Sequence, residues 1–97
     1  MIESFGNHLA EDLFDDKTSR ATRKFPSELR RAARRKLLYL HDAVELRDLR
    51  VPPGNRLESL KGDLVGFHSI RINDQWRVVF MWSSGSPGEV QIVDYHR

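Results

Sequence analysis

Ionisable residues in the second half of the chain are suited to acid–base chemistry at an anionic group. Asp94, Tyr95 and His96 follow one another near the end of the sequence. His titrates near neutral pH and can act as a general acid or base, while a neighbouring Tyr or Asp can orient a nucleophile or tune the proton. Terminal residues are often frayed and idle, so this run needs support from elsewhere in the chain.

Arg77 lies inside a predicted strand, residues 75–82, among apolar neighbours. One interpretation is structural: the aliphatic part of Arg77 packs while its head reaches an Asp or the solvent. The other is functional, because a guanidinium held on a rigid strand can bind a phosphate through two hydrogen bonds. Side chains alternate across a strand, so the opposite face is predicted to pack in the core; it carries Trp76, Val78, Phe80 and Trp82.

The rest of the sequence offers few further candidates for catalytic or metal-binding residues. Lys61, at the start of a predicted Lys-Gly-Asp turn, is weak evidence alone because surface lysines are common. His8, His41 and His68 show no recognisable metal spacing with carboxylates, so we assign no metal and no cofactor. The absence of Cys excludes disulfides, thiol nucleophiles and thiolate metal sites. Neither a Gly-rich phosphate loop nor a Ser-His-Asp signature is present.

Charge is distributed unevenly, although the net charge is only +2. The first sixteen residues carry five acids and no Lys or Arg, whereas residues 20–36 carry eight bases against one acid, Glu28. Such asymmetry indicates either a basic surface with an anionic partner or simply a solvated helix face. No apolar run approaches a membrane span and no signal peptide precedes the acidic start, so we expect a cytoplasmic protein that does not contact a membrane.

The elements that must position these residues form one domain, residues 1–97, because neither half has enough apolar surface to fold alone. We predict a short strand at residues 1–5 and a helix from the N-cap Asn7 through Asp15. A second helix, capped by Ser27, runs to about Asp42, and residues 51–55 form a joint. Strands follow at residues 56–60, 67–72, 75–82 and 90–95, with a loop at residues 83–88. Short connections predict an α+β fold with an antiparallel sheet and two N-terminal helices packed on one face.

The second helix is predicted to be amphipathic. Its apolar arc contains Leu29, Ala32, Ala33, Leu37, Tyr39, Leu40, Ala43 and Val44. Four arginines lie on the opposite, outward side: Arg30, Arg31, Arg34 and Arg35. Leu38 interrupts this polar side, either as a contact for a partner or as a tolerated exposed Leu.

Three strings in residues 60–97 resemble the HigB group of bacterial toxins within the RelE superfamily. They are Leu60-Lys61-Gly62-Asp63, the strand pair Ser69-Ile70-Arg71-Ile72-Asn73-Asp74-Gln75-Trp76-Arg77-Val78-Val79-Phe80, and Val93-Asp94-Tyr95-His96. The helical half is similar in layout, with the opening Ile2-Glu3-Ser4-Phe5 and an early acidic helix. The resemblance implies the microbial-ribonuclease-like α+β fold of that superfamily.

The resemblance also implies a function: a toxin of a type II toxin–antitoxin system that cleaves mRNA on the ribosome and is silenced by a helix-turn-helix antitoxin. Carried over by position, Lys61 and Arg77 would hold the scissile phosphate and stabilise its developing charge. His96, with Asp94 and Tyr95, would transfer protons. We expect Arg71 and the four helix arginines to bind RNA. Cleavage of RNA by its own 2′-hydroxyl needs a base, an acid and a cation, but no metal.

One position departs from the family pattern. Some relatives carry a His a few residues before the Lys-Gly-Asp turn, where this chain has Glu58. Glu58 then serves as the base, or the enzyme is slower, or it depends more on the ribosome. The alternative is a non-catalytic RNA- or ribosome-binding module that inhibits translation by occupancy, since phosphate contacts give affinity without cleavage.

Overall fold

The structure is a computed structural model that describes residues 1–95 of the 97-residue chain. Its helices are α1 (His8–Phe14), α2 (Arg20–Lys24) and α3 (Arg30–Asp42), and its strands are β1 (Glu58–Ser59), β2 (Phe67–Arg71), β3 (Trp76–Ser83) and β4 (Ser86–Asp94). Single 3₁₀ turns occur at Ser27–Leu29, Leu46–Arg50, Pro53–Asn55 and Gly62–Leu64. Within residues 1–95, no helix is both long and apolar enough to cross a membrane.

The strands form one antiparallel sheet in the order β1-β2-β3-β4, which confirms the predicted α+β class and the predicted sheet. Several boundaries differ from the prediction. Strand β1, predicted over residues 56–60, pairs only at Glu58–Ser59. Strands β2 and β3, predicted to join at residues 73–74, end at Arg71 and begin at Trp76. The predicted loop at residues 83–88 is wrong: Ser84 and Gly85, with φ of 54° and 78°, make a two-residue turn, so β4 already begins at Ser86.

The predicted strand at residues 1–5 is reduced to a single parallel bridge between Phe5 and Val90. The Gly6 amide donates to the Val90 carbonyl at 2.7 Å, and the Val90 amide donates to the Ser4 carbonyl at 3.1 Å. A Cβ at Gly6 would lie 2.6 Å from Cγ of Gln91, so this close approach requires glycine. The segment thereby covers the outer edge of β4.

Helix starts agree with the sequence at one place and differ at two. Asn7 caps α1 as predicted, since its side chain accepts from the Ala10 amide at 3.0 Å. Helix α2 was not predicted; Ser19 and Thr22 form its capping box. Ser27 does not cap α3, because the Leu29 amide donates to the Pro26 carbonyl and closes a 3₁₀ turn first. The α-helix therefore begins at Arg30.

One buried cluster joins α1, α3 and one face of the sheet. It includes Ala33, Leu37 and Leu40 of α3, Leu13 of α1, and, from the strands, Ile70, Val78, Phe80, Val90 and Ile92. Trp76 packs against it, and its ring meets Phe25 edge-on at 4.9 Å. Tyr39 and Val44 were predicted to belong to the apolar arc but are exposed at 36% and 76%. Tyr39 lies beside the buried stripe of α3, which is narrower than the predicted arc, and Val44 lies beyond the end of the helix at Asp42.

Candidate active site

Strand register gathers several predicted residues on the sheet face opposite the helices. Glu58 pairs with Ser69 across β1 and β2, and Arg71 pairs with Arg77 across β2 and β3. Since Ser69 and Arg71 alternate to the same side of β2, these four side chains share a face. Arg77 also pairs with Val93 of β4, so Tyr95, two residues further, follows on that face.

Arg77 is the buried centre of this group, with only 7% of its surface exposed. Its Nη1 donates to Oγ of Ser69 at 2.7 Å and forms an ion pair with Oε1 of Glu58. Its guanidinium carbon lies 5.6 Å from the centre of the Tyr95 ring. Arg77 is therefore packed and paired, in agreement with the structural interpretation, although its partner is Glu58 and not an Asp. Its guanidinium lies beside a concave surface, and phosphate binding there stays a prediction.

That concave surface, here called the sheet cleft, has a volume of about 490 Å³. It is lined by Arg56, Glu58, Arg71, Asn73, Asp74, Arg77 and Tyr95. Three guanidinium groups and two carboxylates therefore meet there. Arg71 forms an ion pair with Asp74, whose side chain is 97% exposed. An exposed pair of this kind contributes little energy and can open to another anion.

Not every predicted site residue reaches the sheet cleft. Lys61 is exposed beside the Gly62–Leu64 turn and is not among the described residues that line the cleft. Asp94 pairs with Trp76, which places it on the alternate side of β4, where its Oδ2 accepts from Nε2 of Gln75 at 2.9 Å. His96 lies outside the described residues. The cleft thus brings together Glu58, Arg71, Arg77 and Tyr95 of the predicted set.

The four helix arginines line a separate surface, here called the helix groove, with a volume of about 520 Å³. Arg30, Arg31, Arg34 and Arg35 share it with Leu13, Asp16, Lys17, Thr18, Thr22 and Leu38. The prediction of an outward arginine face needs correction, because Arg30 and Arg34 are half-buried in a groove whose other wall includes residues 16–18 and Thr22. Nη2 of Arg30 donates to the Thr22 carbonyl at 2.7 Å.

Lys36 connects α3 to the turn that precedes the sheet cleft. Its Nζ donates to Oδ1 of the buried Asn55 at 2.5 Å. Burial, followed by the charges of Arg35 and Arg71, lowers the pKa of Lys36 from its usual value of 10.5. The lysine therefore lies in a field of like charge that extends from the helix to the cleft.

Four residues at the sheet cleft were not predicted as site residues: Arg56, Asn73 and Asp74 line the cleft, and Ser69 is bonded to Arg77 beneath it. Arg56, read only as the first residue of a strand, instead has a left-handed backbone with φ of 46°. Ser69 was read as part of a motif without a role, but it is fully buried beneath Arg77. Placing Ser69 beside Arg77 requires the register of β2 against β3, which alternation alone does not give. The run at residues 51–55 predicted a joint but not the left-handed backbone of Arg56. Within residues 1–95, no group of three or more His, Asp or Glu side chains is placed to hold a metal ion.

The amino-acid sequence matches a protein family over nearly its whole length. The family model described as the RelE-like toxin of the type II toxin–antitoxin system HigB matches residues 3–96. Toxin HigB-1 of Vibrio cholerae is 41% identical over 85 residues, which cover 88% of this chain and 87% of the relative. Both likenesses extend well beyond the strings in residues 60–97.

Solved structures share the fold at low sequence identity. The YoeB-YefM complex from Staphylococcus aureus contains a chain with a TM-score of 0.61 and 15% identity, covering 100% of this chain and 99% of that one. A point mutant of YafQ from E. coli gives a TM-score of 0.60 at 16% identity, covering 97% and 91%. At such identities the likeness concerns the fold alone.

Proposed function

Because this chain belongs to the HigB-like, RelE-type toxin family of type II toxin–antitoxin systems, we propose that it cuts mRNA on the ribosome within the sheet cleft. A toxin of this kind has an antitoxin partner and belongs to a family of RelE-type mRNA endoribonucleases. The observation that carries the proposal is the fixed guanidinium of Arg77, held by Ser69 and Glu58 beneath the Tyr95 ring. Ribosome dependence, a helix-turn-helix antitoxin and action in the cytoplasm are parts of the same proposal.

The proposed reaction uses the RNA's own 2′-hydroxyl as nucleophile. Glu58 accepts the 2′-hydroxyl proton, the 2′-oxygen bonds to phosphorus, and the bond to the 5′-oxygen breaks, which leaves a 2′,3′-cyclic phosphate. Arg77 stabilises the negative charge that develops on the phosphate oxygens, an effect that fixed donors provide without reorganisation. His96, or Tyr95, returns a proton to the leaving 5′-oxygen. Lys61 and Asp94, which do not line the cleft, would act on the phosphate or on His96 only after RNA is bound.

The test is a primer-extension map of 5′ ends on a reporter transcript carried by translating ribosomes. The parent should produce discrete cuts, whereas Arg77→Ala should reduce the rate about 100- to 1000-fold and His96→Ala about 100- to 10,000-fold. A chain ending at Asp94 should fold and bind ribosomes without cutting. Equal cleavage by the parent and His96→Ala would move the proton transfer to Tyr95, Asp94 or Glu58.

Metal independence can be tested on the same transcript. A sulfur atom in place of a nonbridging oxygen of the scissile phosphate weakens binding of a hard metal ion, and a thiophilic ion restores it. We expect slower cleavage of the sulfur-substituted RNA without recovery in Mn²⁺ or Cd²⁺. Recovery by either ion would place a metal at the scissile phosphate.

A second candidate function follows from the pairing of Arg77. Its guanidinium already bonds Glu58 and Ser69, so the RNA phosphate must compete with a carboxylate for the cleft's most buried cation. A protein in which Glu58 keeps that position would block translation by occupancy alone. Growth arrest and ribosome binding without cuts by the parent would favour this function.

A further inference from the structure

We infer that Arg56 binds a second phosphate of the RNA, next to the scissile one, and that Asn55 is the positioning residue that holds it at the cleft. The inference rests on the proposed function for the identity of the ligand. It assigns a contact to a residue that neither the motif strings nor the strand pattern pointed to.

Arg56 differs from the other two arginines of the sheet cleft in its electrostatic partners. Arg71 is paired with Asp74, and Arg77 is paired with Glu58. Within residues 1–95, the exposed guanidinium of Arg56 has no hydrogen-bond or ion-pair partner, although it lines the same cleft. An incoming anion therefore meets Arg56 without displacing a carboxylate, which makes it the natural first contact for the RNA backbone.

The backbone at Arg56 is held in a conformation that L side chains rarely adopt. Its φ of 46° and ψ of 56° are left-handed, and its amide donates to the Pro53 carbonyl at 3.1 Å. A residue keeps such a backbone conformation only where the surrounding structure holds it there, and residues of this kind are concentrated at ligand sites. A strained arginine without a protein partner therefore points to a ligand for the side chain.

Asn55 supplies the constraint on that backbone. It is fully buried, and its Nδ2 donates to the carbonyls of Leu49 at 3.1 Å and Val51 at 3.3 Å. Its Oδ1 accepts from Lys36, which anchors the turn to α3, while the Pro53–Asn55 turn packs against β2. The Asn55 side chain makes all three of these hydrogen bonds, and Asn55 directly precedes Arg56. The bonds therefore fix the direction in which Arg56 leaves the turn.

Two relationships favour a flanking phosphate over the scissile one. Arg56 is exposed at the rim of the cleft, whereas Arg77 is buried among the groups that could transfer protons. Arg56 also precedes Glu58 by two residues, so both side chains lie along one stretch of the cleft wall. A single strand crossing the cleft would therefore place one phosphate at Arg77 and its neighbour at Arg56.

The experiment measures binding without cleavage. Ribosomes are programmed with a labelled mRNA whose scissile nucleotide carries a 2′-O-methyl group, and Kd is measured across a salt series. Arg56→Asn tolerates the left-handed backbone and removes the cation. It should weaken binding about tenfold and reduce the slope of log K against log salt by about 0.7, the value for one single-strand phosphate contact. Arg47→Asn removes the same charge from an exposed turn, where Arg47 pairs with Glu45, and should leave the slope unchanged.

Cleavage of the unmodified mRNA supplies the second measurement. Arg56→Asn should raise KM with kcat nearly unchanged, and Arg56→Lys should recover part of the loss, because a flanking contact acts on binding. Arg56→Gly relieves the backbone strain without restoring the cation and should behave like Arg56→Asn. Parental binding and slope in Arg56→Asn, or full recovery in Arg56→Gly, would overturn the inference. If the parent binds but does not cut, the proposed function fails while the salt slope still tests Arg56.

Discussion

Arg77 and Glu58 are joined by an ion pair that reaches across the intervening strand, from β3 over Ser69 of β2 to β1. The Glu58 carboxylate is therefore a candidate base in the sheet cleft and also the group that is ion-paired with the guanidinium of Arg77. These two roles can be separated, because an amide in place of the carboxylate removes the charge and the basicity but keeps the shape.

For Glu58→Gln we expect slower cleavage together with tighter binding. Loss of the base should reduce the rate about 100-fold or more, since general base catalysis contributes factors of about 100 to 10,000. Loss of a negative charge beside Arg77 should lower the Kd for the uncleavable 2′-O-methyl mRNA on ribosomes. Single-turnover cleavage at saturating ribosomes, compared with binding, separates the two effects. A faster variant would show that Glu58 restrains Arg77 and is not the base.

The helix groove should bind ribosomal RNA independently of the sheet cleft. We predict that Arg31, Arg34 and Arg35, all replaced by Gln, weaken ribosome association and reduce its salt slope by roughly two to three, because each phosphate contact contributes about 0.7 to 0.9. Arg30 is left in place because it bonds the Thr22 carbonyl. Sedimentation with ribosomes at several salt concentrations provides the measurement.

The matched control for the groove replaces Arg20, Arg23 and Arg47 by Gln, which removes the same charge from exposed positions outside the groove. This triple variant should keep the parental salt slope. Equal slopes for both triple variants would reduce the groove arginines to a solubilising surface.

Phe80 should contribute more to stability than its strand neighbour Met81. Phe80 is fully buried in the cluster between helices and sheet, so Phe80→Ala should cost about 3–5 kcal/mol in the free energy of unfolding. Met81 is 39% exposed on the other face, and Met81→Ala should cost less than about 1 kcal/mol. Urea unfolding followed by far-UV circular dichroism would compare them. Similar midpoints for the two variants would contradict the assigned strand faces.

The turn at Leu46–Arg50 should lose stability in acid through Asp48. Hydrogen bonds from the backbone amides of Glu45, at 2.9 Å, and Val44, at 3.1 Å, hold the pKa of Asp48 below its usual 3.8. A lowered folded-state pKa means that the carboxylate stabilises the fold above pH 3.8 and that this stabilisation is lost as pH falls through the folded-state value. The Tm of Asp48→Asn should therefore lie below that of the parent at pH 6, and the gap should close below pH 3.8. A gap that is constant over this range would remove ionised Asp48 from the stability of the turn.

Strand alternation predicted the site face because its rule is local. Once Arg77 was placed inside a strand, alternation put its side chain on the face opposite Phe80. In the structure, the antiparallel register brings Arg71 and Glu58 to the same face as Arg77. The left-handed turn at Arg56 could not be predicted in this way, since it depends on bonds from Asn55 to distant backbone and to Lys36.

Helix ends show the same division between local and distant causes. Asn7 was identifiable as a cap because its partner is three residues away. The half-burial of Arg30 could not be predicted. Helical periodicity identifies the side of α3 opposite its apolar stripe, but it does not show that Thr22 of α2 contacts Arg30 on that side. Residue type made Lys61 and Asp94 only weak candidates, and their roles came from the family resemblance; in the described residues neither lines the sheet cleft.

Asn7 also connects the earliest and latest parts of the described chain. Its side-chain amide donates to the Ile92 carbonyl at 2.9 Å, and the Glu89 backbone amide donates to Oγ of Ser4, with a sequence separation of 85 in each case. Contacts over such a separation carry a large loop-closure cost and form late in folding. During translation, α1 can be fixed against the sheet only after β4 has emerged from the exit tunnel. A nascent toxin of this design would therefore remain incomplete until the codons of β4 have been translated and that strand has left the ribosome.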